Sequence, residues 1–344
     1  MSITSLFGIE LPIIQAPMAG AQGSALAIAV SNAGGLGSLG CAVLPPEAIR
    51  KELASVAATG KPYNVNFFCH EHITSDPRED AWRRRLAAYY TELGLDASAV
   101  APGPQRLPFN DDVASLIEAF KPPVVSFHFG LPSPELVRRI KNWGAKVVSS
   151  ATTVAEARHL EEHGADAVIA QGLEAGGHRG MFLTQDLNTQ LGTLALVRQV
   201  RAAVTVPVIA AGGIADASGV AAARALGADG VQVGTAYLFT LEATISPLHR
   251  AALKSEAAAV TAVTNVFTGR PARAIVNRLV REAGPMSPDA PAFPLAADAV
   301  MPLRARAESA GSDDFTSLWA GQSARLCREM PAAELTRALA AKPA

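Results

Sequence analysis

The chain has 344 residues, 49% hydrophobic and 18% charged, with a net charge of -1. That composition supplies apolar material for one large or two modest domains, and its near-neutral balance argues against a nucleic-acid partner, whose phosphates need an excess of Lys and Arg. Three scattered cysteines, no signal-peptide pattern and no apolar run of about 18 residues point to a reducing, cytoplasmic setting without a disulfide framework or membrane span.

Short apolar runs alternate with longer Ala-rich segments of helical period. The first predicted strand is "LPIIQAP", followed by a helix through Ala25 to Asn32. "GGLGSLG" is the second, with "PPEAIRKELASVAA" as its helix and a proline in the first turn. "YNVNFFC" is the third, with a long connection behind it. There Trp82, Leu86, Tyr89 and Leu93 recur at helical spacing, so Arg83, Arg84 and Arg85 read as a solvated helix face. "PVVSFHFG" is the fourth, and Ser133 and Gly144 are predicted to cap the following helix. "AKVVSSA", "ADAVIAQG", "VPVIAAGG" and "DGVQVGTA" complete the set of eight.

Strands without polar alternation imply a parallel sheet buried on both faces. Eight strand–helix units predict an α/β fold, a (β/α)8 TIM barrel, over residues 1–240. The Pro-rich and polar stretch 241–304 is expected to cap the barrel mouth, and residues 305–344, helical in pattern, to dock on the barrel.

In such barrels chemistry sits at the carboxyl-terminal strand ends, and phosphate often binds after strands seven and eight. "AAGGIAD" places Gly212 and Gly213 before a helix near Asp216, and "QVGTA" places Gly234 and Thr235 after the eighth strand. Glycine turns, a helix amino terminus and a hydroxyl suit a phosphate. Gln15, Met18, Asn66, Cys69, His128, Gln171 and Gln232 fall at or near other strand ends. The amides among them could meet the edge of a flat heterocycle such as a phosphorylated flavin, or could simply satisfy backbone groups at the rim. In "QGLEAGGHRG" four glycines surround His178 or lie beside it, which suits a loop passing close to a ligand, or a histidine merely filling a turn. Arg179, its neighbour, is expected to point elsewhere.

Two motifs are set aside. Gly35, Gly37 and Gly40 spell G-x-G-x-x-G, but a helix precedes them and they lie within the second strand, so they read as packing glycines. "CHEH", Cys69 to His72, lacks the spacing of a zinc site, and no metal is expected.

Taken together, "IIQAPMAG", "VSNAGGLGS", "NVNFFCH", "VSFHFG", "AQGLEAGGHRG", "AAGGI", "VQVGTA" and "WAGQ" resemble, in order, the nitronate monooxygenases (2-nitropropane dioxygenases), class I branch. The resemblance implies FMN as cofactor and oxidation of alkyl nitronates, such as propionate 3-nitronate, by O2 to a carbonyl product and nitrite. It assigns catalysis to His178, and FMN contacts to Met18, Asn66, Gln171, Gly176, Gly213, Gln232, Val233, Gly234 and Thr235. His128 is assigned to the substrate, and a homodimer is left open. Phe293, Leu295, Ala297 and Met301 stand where class I relatives tend to be polar, which would favour more apolar nitronates. The alternative on the same fold is an FMN-dependent NADH:quinone or enoyl-thioester reductase.

Overall fold

The apolar runs become eight parallel strands: β1 (Ile13–Gln15), β2 (Gly37–Gly40), β3 (Tyr63–Phe68), β4 (Val124–His128), β5 (Lys146–Ala151), β6 (Ala167–Gln171), β8 (Val208–Ala211) and β9 (Gly230–Val233). Between β6 and β8 lies the two-residue β7 (Gly177–His178). The computed structural model describes residues 2–100, 103 and 106–343.

The sheet order is β1-β9-β8-β6-β5-β4-β3-β2. A parallel bridge between Ile14 and Leu36 joins β1 to β2, with Leu36 N–H donating to Ile13 O at 2.9 Å, and brings the two ends of the sheet together into the expected barrel. Alternation along the strands explains why they read as apolar throughout. One set of side chains, including Ile13, Val168, Ala170, Val208 and Val231, packs outward among the helices. The intervening set, Ile14, Val124, Val148, Ile169 and Ile209, meets inside the barrel with Ile3 and Phe7 of a short amino-terminal helix, Ile3–Phe7, absent from the predicted elements.

The glycines of the G-x-G-x-x-G stretch are packing residues. A Cβ on Gly37 would stand 2.0 Å from Ala27 O, and one on Gly40 2.7 Å from Ala19 N. Helices follow the strands as expected, including Glu79–Glu92 around Trp82 and Pro134–Asn142. Ser133 caps the latter, and Gly144 takes a φ of 91° just beyond it.

A second, three-stranded sheet lies in the order β10-β11-β7, with β10 at Thr261–Thr264 and β11 at Ala272–Ile275. Its strands belong to the stretch that was read as polar cover, except that β7 is the His178 loop itself, paired antiparallel through Ala272–His178 and Arg273–Gly177. The helix Glu79–Glu92 packs onto this region as well, its Trp82 Nε1–H donating to Ala296 O at 3.1 Å and its Tyr90 hydroxyl to Ala299 O at 2.7 Å.

The tail is less helical than its pattern predicts. Ala332–Ala340 is an α-helix packed through Leu335 and Leu339 against the barrel helices, and Ala324–Leu326 is a single 3-10 turn. The preceding stretch is extended and bridges β11 through Trp319 and Ala274. Among the described residues no helix is long and apolar enough to cross a membrane.

Candidate active site

Strand parity decides which predicted residues share a space. Asn66, His128, Gln171 and Gln232 have the inward parity of Val124, Ile169 and Ile14, and all four line a cavity of about 470 Å³ at the carboxyl-terminal strand ends. Gln15 and Val233 have the opposite parity and do not line it. Gln15 is fully buried, its Oε1 accepting from Ser38 N–H at 2.8 Å, while Val233 packs among the helices. Cys69, too, lies outside the lining and is half-buried, with its thiol pushed well up by desolvation.

Met18 after β1, Gly213 after β8, and Gly234 and Thr235 after β9 border the same cavity. Gly213 has a φ of 72° and Gly212 a φ of 113°, so this turn needs glycine. The Thr235 hydroxyl oxygen accepts from Gly321 N–H at 2.9 Å, which ties the end of β9 to the tail.

Two of the glycines around His178, Gly176 and Gly180, make room for protein neighbours, whereas Gly177 has a φ of 72° and open space beside it. A Cβ on Gly176 would lie 2.5 Å from Gly321 N, so loop and tail pass backbone to backbone. One on Gly180 would lie 2.9 Å from Ser150 Cβ and 3.0 Å from His128 Cε1. Gly176 and Gly177 also line the cavity, so the loop passes close to the tail and to β4 and β5 while keeping its face on that space. Arg179 is fully buried behind the loop, donating to Gly172 O and Gln171 O at 2.7 Å each and to Gln190 Oε1 at 3.1 Å.

This bracing fixes His178. Its carbonyl accepts from His128 Nε2–H at 3.1 Å and from Gln171 Nε2–H at 3.0 Å, and Gln171 Oε1 in turn accepts from Gly180 N–H at 2.8 Å. A carbonyl can only accept, so His128 carries its proton on Nε2 and takes the Ser150 hydroxyl on Nδ1 at 3.1 Å. The His178 ring bonds Thr268 Oγ1 through Nε2 at 2.9 Å, and Trp319 lies 5.3 Å away, centroid to centroid.

Electrostatics keep these imidazoles neutral. Burial, aided by repulsion from the other imidazoles, His128 first, and from the Arg270 and Arg106 guanidinium groups, holds His178 well below the ordinary histidine value. A histidine charge that responds near neutral pH, plausible from residue type alone, is therefore not what this environment provides. Burial also pushes His128 and His249 down to about 4, although each donates to a carbonyl. Between about pH 4 and the ordinary histidine value of 6.5, the unfolded chain then binds protons that the native chain does not. Stability should be fully present above pH 6.5 and fall as the pH drops towards 4. Thermal melting of the wild-type protein at pH 7 and pH 4.5 checks this, and equal melting temperatures would contradict it.

From "CHEH", His70 is buried and donates Nε2–H to Arg106 O at 2.8 Å, holding the segment that brings Arg106 to the cavity. Among the described residues no cluster of three or more His, Cys, Asp or Glu could hold a metal.

Residues 1–342 match the family described as "Nitronate monooxygenase". The chain belongs to the nitronate monooxygenase family. It is 46% identical over 344 residues to a nitronate monooxygenase of Pseudomonas aeruginosa, covering 98% of this chain and 97% of that one. A nitronate monooxygenase of Paraburkholderia phytofirmans is 43% identical over 348 residues, covering 98% and 93%. The solved structure of a nitroalkane oxidase from Streptomyces ansochromogenes superposes with a TM-score of 0.91 at 40% identity, covering 99% and 97%. Nitronate monooxygenases are oxidoreductases, so the cavity belongs to an enzyme.

Ser150, Phe68, Arg106, Thr268, Trp319 and Gly321 also line the nitronate monooxygenase cavity and were not singled out from sequence. Parity would have found two of them, since Ser150 lies two residues beyond Val148 and Phe68 two beyond Asn66. The others come from connections and tail, where no local pattern marks them. Of Phe293, Leu295, Ala297 and Met301, Ala297 and Met301 line the cavity, Phe293 is buried with its ring 5.5 Å from that of His178, and Leu295 is not part of the lining.

Proposed function

We propose that the protein binds FMN in this cavity and oxidises alkyl nitronates with O2 to a carbonyl compound and nitrite, with His178 as the group that meets the substrate. The observation that carries the reading is the braced presentation of His178. Its backbone carbonyl is clamped by two strand residues and its ring by a third residue, at the wall of a cavity edged by glycine turns.

The residues fit the cofactor. The turns at Gly212–Gly213 and Gly234–Thr235 stand where barrels hold phosphate, and the Thr235 hydroxyl, whose oxygen accepts from Gly321, keeps its own proton to donate. Asn66 gives Nδ2–H to Ser126 Oγ at 2.9 Å, and its Oδ1 has no protein partner among the described residues. That oxygen and the Gln232 amide suit a ring edge with alternating donors and acceptors. Met18, Gln171 and Gly176 complete the proposed contacts, with His128 on the substrate side. Val233, whose side chain faces the helices, would contribute through its backbone alone. When bound, FMN supplies a reversible electron acceptor.

A nitronate already carries negative charge, so the protein need not generate a carbanion. A neutral imidazole can hydrogen-bond its oxygens, and the Arg106 guanidinium at the wall makes the cavity favourable to an anion. For a neutral nitroalkane the same imidazole could remove the α-proton. Ala297 and Met301 make the outer wall more apolar, which favours nitronates with an alkyl end.

Anaerobic mixing of the yellow protein with a nitronate should bleach the flavin rapidly, while NADH leaves it oxidised. Rapid reduction by NADH, with nitronate inert, would instead establish the reductase alternative.

A further inference from the structure

Thr268 is carried by the turn between β10 and β11, and its position is fixed by more than the strands. Asn265, at the start of that turn, exchanges two hydrogen bonds with the backbone of Ser287, donating Nδ2–H to its carbonyl at 2.9 Å and accepting from its N–H at 2.8 Å. Gly269, next to Thr268, has a φ of 87° and sits so close to Pro291 that a Cβ would lie 2.0 Å from Pro291 O. Phe267 on the other side is buried in the cluster under this turn. A hydroxyl held this rigidly can orient what it bonds.

What it bonds is His178 Nε2, at 2.9 Å, and Thr268 Oγ1 has no second partner among the described residues. Nδ1 is therefore the ring nitrogen left without a protein partner, on a side chain that lines the cavity. A histidine that must present one nitrogen to a substrate needs its other nitrogen engaged, because an unengaged ring can flip about Cβ–Cγ and exchange tautomers. We propose that Thr268 is a positioning residue: its hydroxyl, able to donate to or accept from Nε2, holds the His178 ring so that Nδ1 faces the substrate. The proposal rests on the reading of His178 as the group that meets the substrate.

Thr268→Val keeps the shape and removes the hydroxyl; Thr268→Ser keeps the hydroxyl. In the FMN-loaded protein, Thr268→Val should lower kcat for a nitronate by roughly tenfold to a hundredfold, with KM much less affected, and Thr268→Ser should restore most of it. In 15N-histidine-labelled protein, the His178 ring signals, assigned by their loss in His178→Asn, should report a single ring orientation in the parent, one sharp signal for each nitrogen. Thr268→Val should broaden or split them as the ring samples more than one orientation. A Val variant with parental kcat and unchanged ring signals would overturn the proposal, as would a Ser variant as impaired as Val. Parental turnover by His178→Asn would sink the functional reading instead, and the ring signals would still decide whether Thr268 orients the imidazole.

Discussion

His178→Asn should retain FMN while losing about a hundredfold or more in nitronate turnover. The loop does not depend on the imidazole for its path. The backbone carbonyl of residue 178 accepts from His128 and Gln171, and both bonds survive the substitution. The Ala272–His178 register in the small sheet is likewise a backbone feature. What is lost is the ring: its reach to Thr268 and the nitrogen available to the substrate. Removing one preorganised donor at a site of developing charge typically costs about 10²–10³ in rate, or about 2.7–4 kcal/mol. Flavin content from the absorbance spectrum and kcat/KM from oxygen consumption measure the two halves separately. Parental turnover would refute the assignment, and a variant purified without flavin would show that the ring supports the cofactor.

Arg179→Met should destabilise the fold by about 2–4 kcal/mol, since hydrogen bonds from a charged donor contribute about 1.5–3 kcal/mol and the neutral oxygens that lose them stay buried. By sequence alone, a cation beside the histidine could pass for a means of attracting anions. In the fold it is fully buried and donates to the carbonyls of Gln171 and Gly172 and to Gln190. Burial lowers its pKa to about 10, so it remains charged at neutral pH. Methionine has the bulk but no donors, and both carbonyls would be left buried without this partner. Since those carbonyls mark the departure of the His178 loop from β6, the loop should loosen as well. Urea unfolding at pH 7 gives the free-energy change, and a loss below about 1 kcal/mol would show that the guanidinium merely fills space.

The barrel was legible because its signals are local. Runs such as "AVIAQ" and "VIAA" are apolar on both parities, which only a strand buried on both faces requires, and the eight runs closed as expected. The strand-borne wall of the cavity was legible for the same reason. Parity separates Asn66, His128, Gln171 and Gln232 from Gln15 and Val233, and applying it strictly would have removed the last two. The small sheet was not legible. β7 has two residues and β10 and β11 four each, too short for a period to register, and the β7–β11 pairing joins residues nearly a hundred positions apart. The tail misled for a related reason: "TSLWAGQSARLCREMPAAELTRALA" is helical in pattern, yet Gly321 is spent on a backbone contact with Gly176 that no local pattern encodes.

Pairing β7 with β11 carries a consequence for engineering and for divergence. The strand that presents the histidine and the hairpin bearing Thr268 share one hydrogen-bond ladder. A graft that exchanges the hairpin for a relative's, in search of new specificity, therefore also resets the aim of the imidazole unless the Ala272–His178 pairing is kept in step. In this scaffold, selectivity and chemistry are transplanted together or not at all.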